Sequence, residues 1–95
     1  MESQTHILKT DPLVFEDVWQ HKKTFELRKN DRNFRIGDTL ILKETYHTGE
    51  EMKNGKSLSY TGREIGCIVF HILNGPIYGL AEGWCIMSIG VMYCK

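Results

Sequence analysis

The spacing of apolar residues along the chain predicts a mainly β fold with one or two short helices. Alternating apolar and polar positions, or short runs rich in β-branched and aromatic residues, are typical of strands. Five segments show such a pattern, namely residues 5–9, 23–29, 39–46, 59–73 and 84–93. Their mixed order favours a small curled or barrel-like sheet with a helix plugging one end, which is an α+β arrangement.

One short helix is predicted directly after the first strand. Pro12 suits the first helical position, where its missing N–H costs nothing, and Asp11 before it suits the N-cap. Apolar side chains then recur at the i, i+3, i+4 spacing of a buried helix face, at Phe15, Val18 and Trp19. We expect this helix to end near residue 21.

The later segments carry more specific expectations. Residues 39–46 begin apolar on both faces, as a central strand does, and residues 84–93 are apolar on both faces and should be covered on both. Gly62 and Gly66 are candidate bulges that would help the sheet to curl. Residues 47–59 contain Asn54-Gly55 and four charged side chains, which predicts a mobile loop or an exposed hairpin tip.

Composition places the chain among ordinary globular domains. Its 95 residues, with 41% hydrophobic and 25% charged side chains, predict a single domain over residues 1–95. Twelve basic residues balance twelve acidic residues, so the total charge does not indicate a strongly basic nucleic-acid clamp. Residues 21–35 nevertheless hold six basic and two acidic side chains, an excess of four positive charges that can attract phosphate locally.

Several kinds of site are not indicated. Cys67, Cys85 and Cys94 form no CxxC pair and lie in apolar stretches, so we expect free, buried thiols. The four histidines show no metal-ligand spacing, and His71, inside an apolar strand, is expected in the core. No metal or cofactor is therefore predicted. The first residues do not resemble a signal peptide and no apolar run is long enough to span a membrane, which favours a cytoplasmic protein.

The densest polar stretch runs from Lys23 to Arg32. Within it Thr24, Glu26 and Arg28 alternate along one strand face, about 7 Å apart. Glu26 could orient Arg28, which would then present a fixed fork of N–H groups to phosphate or to a base edge. The alternative interpretation is an ordinary ion pair on a solvated strand face, worth about 0–1 kcal/mol.

Taken together, these residues resemble the PUA-like superfamily, and most closely a small bacterial and phage branch related to ASCH domains. The likeness covers most of the chain. It rests on residues 6–10, the helix with Phe15 and Trp19, residues 22–32, Phe34, Gly37-Asp38 and residues 60–64. The resemblance implies a β pseudo-barrel with a cleft beside the helix, and RNA binding.

The resemblance also implies a possible reaction. Related ASCH-type proteins include a small amidohydrolase that removes an acyl group from modified cytidine, with a Lys-Thr-x-Thr-x-Arg pattern whose lysine and second threonine act with a distant glutamate. Lys23, Thr24 and Arg28 fit that pattern, whereas Glu26 occupies the position of the second threonine. A carboxylate replaces that hydroxyl only with a change of mechanism, so the fold transfers more securely than the reaction.

Three functions from different classes remain open at this point. The first is an RNA or nucleotide binding module, with contacts from Lys9, Lys23, Thr24, Glu26, Arg28, Arg32 and Arg63. The second is a small hydrolase of an acylated cytidine, in which Lys23 acts as base and Glu26 as general acid or water activator. The third is a phage or host adaptor that binds another protein.

Overall fold

A computed structural model describes residues 2–95, which form one five-stranded sheet and two short helices. The strands are β1 (Thr5–Thr10), β2 (Phe25–Lys29), β3 (Thr39–Thr45), β4 (Tyr60–Asn74) and β5 (Trp84–Cys94), and the helices are α1 (Pro12–Trp19) and α2 (Gly49–Lys53). The predicted class, mainly β with one or two short helices, is confirmed. No helix within residues 2–95 is long and apolar enough to cross a membrane.

The strands lie in the order β1-β3-β4-β5-β2, so β1 and β2 form the two edges of the sheet. Only β1 and β3 run parallel, and all other neighbours are antiparallel. The sheet curls into a half-barrel. Strand β3 lies between β1 and β4, as expected from its apolar start. The predicted barrel closure is incomplete, because β1 and β2 approach each other without forming a ladder.

The core lies between the inner face of the sheet and α1. Phe15 and Val18 of α1 are fully buried, and Trp19 packs against the same cluster, which confirms the predicted helix face. The sheet contributes the remaining core side chains, which are Leu8, Leu40, Leu42, Ile65, Cys67, Val69, Cys85, Met87 and Ile89, with Phe34 from the segment before β3.

The segment after β3 differs from the prediction of a mobile loop. It contains α2, which begins after a capping box in which Glu51 N–H donates to Thr48 Oγ1 and Thr48 N–H donates to Glu51 Oε1. Gly49 N–H also donates to Asp11 Oδ1 at 2.9 Å, which ties the segment to the start of α1. The Thr-x-x-Glu spacing was the sequence signal for this helix.

Three burial predictions were wrong. Cys94 is exposed because it lies at the end of β5, and His71 is exposed because the β4–β5 pairing shifts register between Val69 and His71. The second face of β5 is only partly covered, and Met92 remains half exposed on it.

The different burial of the three cysteines predicts one reactive thiol. Burial raises the pKa of the Cys67 thiol to about 12 and also raises that of Cys85, while Cys94 is exposed. Because the thiolate is the reactive form, we expect a disulfide reagent to modify one thiol rapidly in the native protein and all three after unfolding. A Cys94→Ser variant should lose the rapid phase; equal rates for three thiols in the native state would contradict this fold.

Candidate functional site

Strand β2 has its polar side chains inside and its apolar side chains outside. Glu26 is 1% exposed and lies beside the buried Met87, whereas Phe25 is 44% and Leu27 49% exposed. Such a carboxylate in place of an apolar residue is rare, since a buried charge must be paired to be tolerated. The inverted strand therefore marks a place where packing alone does not explain the sequence.

Two cations neutralise the buried Glu26. Lys23 Nζ donates to Glu26 Oε1 at 2.8 Å, and Arg28 Nε donates to Glu26 Oε2 at 2.9 Å. Lys23 also donates to the main-chain oxygen of Phe25. We refer to Lys23, Glu26 and Arg28 as the ionic cluster. No buried side-chain nitrogen or oxygen within residues 2–95 lacks a hydrogen-bond partner, so the carboxylate is held in one fixed position.

Arginine side chains bridge the gap between the two edge strands. Arg28 Nη1 donates to the carbonyl oxygen of Lys9 at 3.1 Å, and its Nη2 donates to Thr10 Oγ1 at 3.2 Å. Arg32 Nη1 donates to the carbonyl oxygen of Ile7 at 2.8 Å. These bonds join β2 and the following turn to β1 where no ladder forms, and they leave space between the two edges.

That space is a cavity of about 640 Å³, which we call the cleft. Its size falls within the range of about 300–1,000 Å³ typical of small-ligand sites. Five basic side chains and three acidic side chains line it, together with Phe25, Leu27 and Trp84. The basic residues are Lys9, Lys23, Arg28, Lys29 and Arg32, and the acidic ones are Asp11, Glu26 and Asp31.

The main chain of β2 also faces the cleft. Thr24 C=O accepts from Ile89 N–H and Asn30 N–H donates to Gly83 C=O, so the even-numbered positions of this strand pair with β5. In an antiparallel ladder the alternate residues then direct their N–H and C=O groups to the open edge. The main-chain groups of Phe25 and Leu27 therefore face the open edge, where the carbonyl oxygen of Phe25 accepts from Lys23 Nζ.

Comparisons with known proteins identify the family. A family model described as "Domain of unknown function (DUF3850)" matches residues 5–89, which is most of the chain. The chain belongs to the DUF3850 family. It is also similar to the "Uncharacterized 12.9 kDa protein in GpA 3'region" of Escherichia phage P2, with 46% identity over 44 residues. That match covers 46% of this chain and 40% of the phage protein.

In this DUF3850 chain, most of the predicted site residues lie around the cleft. Five of them line it, namely Lys9, Lys23, Glu26, Arg28 and Arg32. Within the ionic cluster, Glu26 contacts both Lys23 and Arg28 directly. Thr24 does not line the cleft. It lies just before the first residue of β2, and its side chain is exposed to solvent. That these residues contact a ligand stays a prediction.

Arg63 is the second predicted residue that lies elsewhere. It donates to Glu44 through both Nε and Nη2, at 2.9 Å each, and to Glu16 Oε1 at 3.1 Å. Its guanidinium lies over the rings of Phe15 and Trp19, at 5.2 and 4.6 Å from their centroids. Arg63 therefore fastens α1 to β3 and β4 and does not line the cleft, and that it contacts a ligand stays a prediction.

The Arg63 cluster predicts a loss of stability in acid. Hydrogen bonds from Arg63 and then from Thr61 lower the pKa of Glu44, against the opposing effect of burial. A carboxyl group whose folded pKa is depressed stabilises the fold above its unfolded pKa, and loses that effect as the pH falls through the folded value. We therefore expect the free energy of unfolding to decrease once the pH is lower than about 4.5, the ordinary pKa of glutamate.

Urea denaturation at a series of pH values measures this effect, with an Arg63→Met variant as the comparison. Without the guanidinium, the pKa of Glu44 in the folded protein should be lowered less. The free energy of unfolding of the variant should therefore decrease less steeply as the pH falls. Asp38 contributes to the acid sensitivity of both proteins equally. Burial would raise its pKa, but hydrogen bonds from Gln4, His6 and Arg35 lower it overall. Parallel pH curves for the two proteins would contradict the assignment.

Several residues of the cleft, Trp84 and Lys29 among them, are not among the predicted site residues. Trp84 is 40% exposed at the cleft, although burial is the commoner fate of tryptophan. Lys29 also lines the cleft. Trp84 reaches the cleft because it is the first residue of β5 and pairs directly with Lys29 of the edge strand. Within residues 2–95 there is no group of three His, Cys, Asp or Glu side chains placed to hold a metal ion.

Proposed function

We propose that the chain binds single-stranded RNA or a nucleotide in the cleft between β1 and β2. The observation that supports this most is the inverted strand β2, which places a fixed cluster of charges in the cleft and apolar side chains at its rim. Cations attract the phosphates, and exposed aromatic surfaces stack on unpaired bases. The resemblance to PUA-like domains, described from the sequence, favours the same function.

The ionic cluster has N–H groups that are not used within the described part of the chain, which supports binding of a ligand. Lys23 has three N–H groups, of which the carbonyl oxygen of Phe25 and the carboxylate of Glu26 take two within residues 2–95. Arg28 has five N–H groups, of which three have the acceptors described above. The remaining N–H groups are available to phosphate or to the acceptor edge of a base, and Glu26 keeps both cations in place.

Fluorescence anisotropy with a labelled single-stranded RNA tests the proposal. For two to four phosphate contacts, the logarithm of the association constant should fall with log salt with a slope of about −1.4 to −2.8. A Lys9→Gln variant removes an exposed cation of the cleft and should weaken binding, whereas Lys43→Gln removes a cation that does not line it. Absence of binding even at low salt would reject the proposal.

A second candidate function is hydrolysis of an acylated cytidine, which the 2.8 Å contact of Lys23 Nζ with the buried Glu26 favours. Such a pair can exchange a proton with a bound substrate or water. However, Lys23 already donates to Glu26 and to the main chain of Phe25, and this anchoring role suits binding better than the role of base. Incubation with N4-acetylcytidine, followed by chromatography, decides: turnover no faster than that of a Lys23→Ala variant ends this candidate.

A further inference from the structure

A second cavity continues the cleft toward α2. It measures about 610 Å³ and shares Lys9, Asp11 and Arg28 with the cleft, so the two spaces are adjacent parts of one surface depression. Its other wall comes from α2 and the residues that follow it, including Met52, Lys53, Lys56 and Leu58. We call this second space the α2 groove.

Hydrogen bonds fix the segment that forms the outer wall of the α2 groove. Asp11 makes no side-chain hydrogen bond that caps its own helix, and its carboxylate accepts from Gly49 N–H instead. Tyr46 N–H donates to Ser59 C=O, which closes the segment at its base. The capping box at Thr48 fixes the start of α2. These contacts hold the segment in a defined place beside the cleft.

Cationic side chains outnumber acidic ones along the α2 groove, although Arg28 is already paired with Glu26. Four cations line it, namely Lys9, Arg28, Lys53 and Lys56, against the single carboxylate of Asp11. Lys9, Lys53 and Lys56 are exposed, and they form no ion pair within the part of the chain that the structure describes. In a chain with no net charge, this concentration favours an anionic ligand.

We infer that the α2 groove is a second subsite, which binds the sugar–phosphate backbone of a single-stranded RNA whose neighbouring nucleotides occupy the cleft. This inference rests on the proposed function and extends it, because it selects a strand over a mononucleotide. Each of the two spaces is large enough for one small ligand, so one nucleotide would leave the other space empty. The cleft has the aromatic surface for bases, whereas the α2 groove adds unpaired cations for phosphates.

The experiment compares a short and a long RNA on the same proteins. Anisotropy is measured with oligonucleotides of about three and about twelve nucleotides, for the wild type and for a Lys53→Gln/Lys56→Gln variant. We expect the wild type to bind the long RNA more tightly, and the variant to lose that advantage. The variant should also reduce the magnitude of the salt slope for the long RNA by about 1.4, which is about 0.7 for each phosphate contact removed.

A Lys43→Gln/Lys95→Gln variant is the matched control, since it removes two positive charges that line neither space. Circular dichroism checks that both double variants fold. If the wild type binds both RNAs equally and the Lys53/Lys56 variant matches it, the second subsite is wrong while the proposed function stands. If both double variants weaken binding alike, the effect is net charge and the subsite is wrong. If neither RNA binds the wild type, the proposed function itself fails.

Discussion

Replacing Glu26 by glutamine should lower the free energy of unfolding by about 3 kcal/mol, at the lower end of the range for breaking a buried ion pair. The side chain keeps its shape but loses its charge, so Lys23 and Arg28 are left without a counterion. Both cations retain some contact with solvent, which limits the penalty. Chemical denaturation at pH 7 measures the change.

Glu16→Gln is the matched control, because Glu16 also pairs with an arginine but lies on the exposed surface. Exposed ion pairs contribute little to stability, so this variant should remain close to the wild type. Glu26→Gln with wild-type stability would show that the carboxylate is not held as described.

A triple replacement of the ionic cluster by methionine separates stability from function. Exchanging a whole buried ionic group for apolar side chains is often tolerated far better than removing one member. We expect Lys23→Met/Glu26→Met/Arg28→Met to be more stable than Glu26→Gln and to have lost RNA binding. That result would indicate that the charges of β2 are retained for a ligand.

The second large effect is expected on binding, from Trp84→Ala. Loss of one aromatic stacking surface costs about 1–3 kcal/mol per base, so affinity for single-stranded RNA should fall by about 5- to 150-fold. Trp84 is partly exposed, and we expect the fold to survive the change. Anisotropy measures the affinity, and Trp84→Phe should recover part of it because a ring is restored.

Tyr78→Ala controls for loss of an aromatic residue in general. Tyr78 is 95% exposed and does not line the cleft, so its removal should leave the RNA affinity unchanged. Equal affinities for the wild type and Trp84→Ala would exclude stacking at the cleft.

The sequence predicted the strands and α1 because their signals are local. Pro12 after Asp11 and the spacing of Phe15 and Val18 depend on neighbouring residues only, and the structure places α1 and its buried face accordingly. Helix α2 was missed because glycine and charged residues there suggested a turn. Its capping box was equally local, and it outweighed that composition.

The arrangement of the site could be predicted only in part. The alternation of residues 25–28 indicated two faces of β2, but not that the polar face lies inside. That choice depends on the pairing with β5, whose Met87 lies opposite Glu26 in the curled sheet, and no local pattern specifies that pairing. The partners of Arg63 were unpredictable for the same reason, since Glu16 and Glu44 come from other elements.

RNA binding in the cleft between β1 and β2, as we claim, should be visible in the indole N–H signals of the two tryptophans in an NMR titration. Trp84 lines the cleft, whereas Trp19 packs beside Phe15 and Arg63, away from it. On addition of single-stranded RNA, we predict a saturable shift of the Trp84 signal, with the Trp19 signal unchanged. A shift of Trp19 alone, or of neither indole at saturating RNA, would contradict the claim.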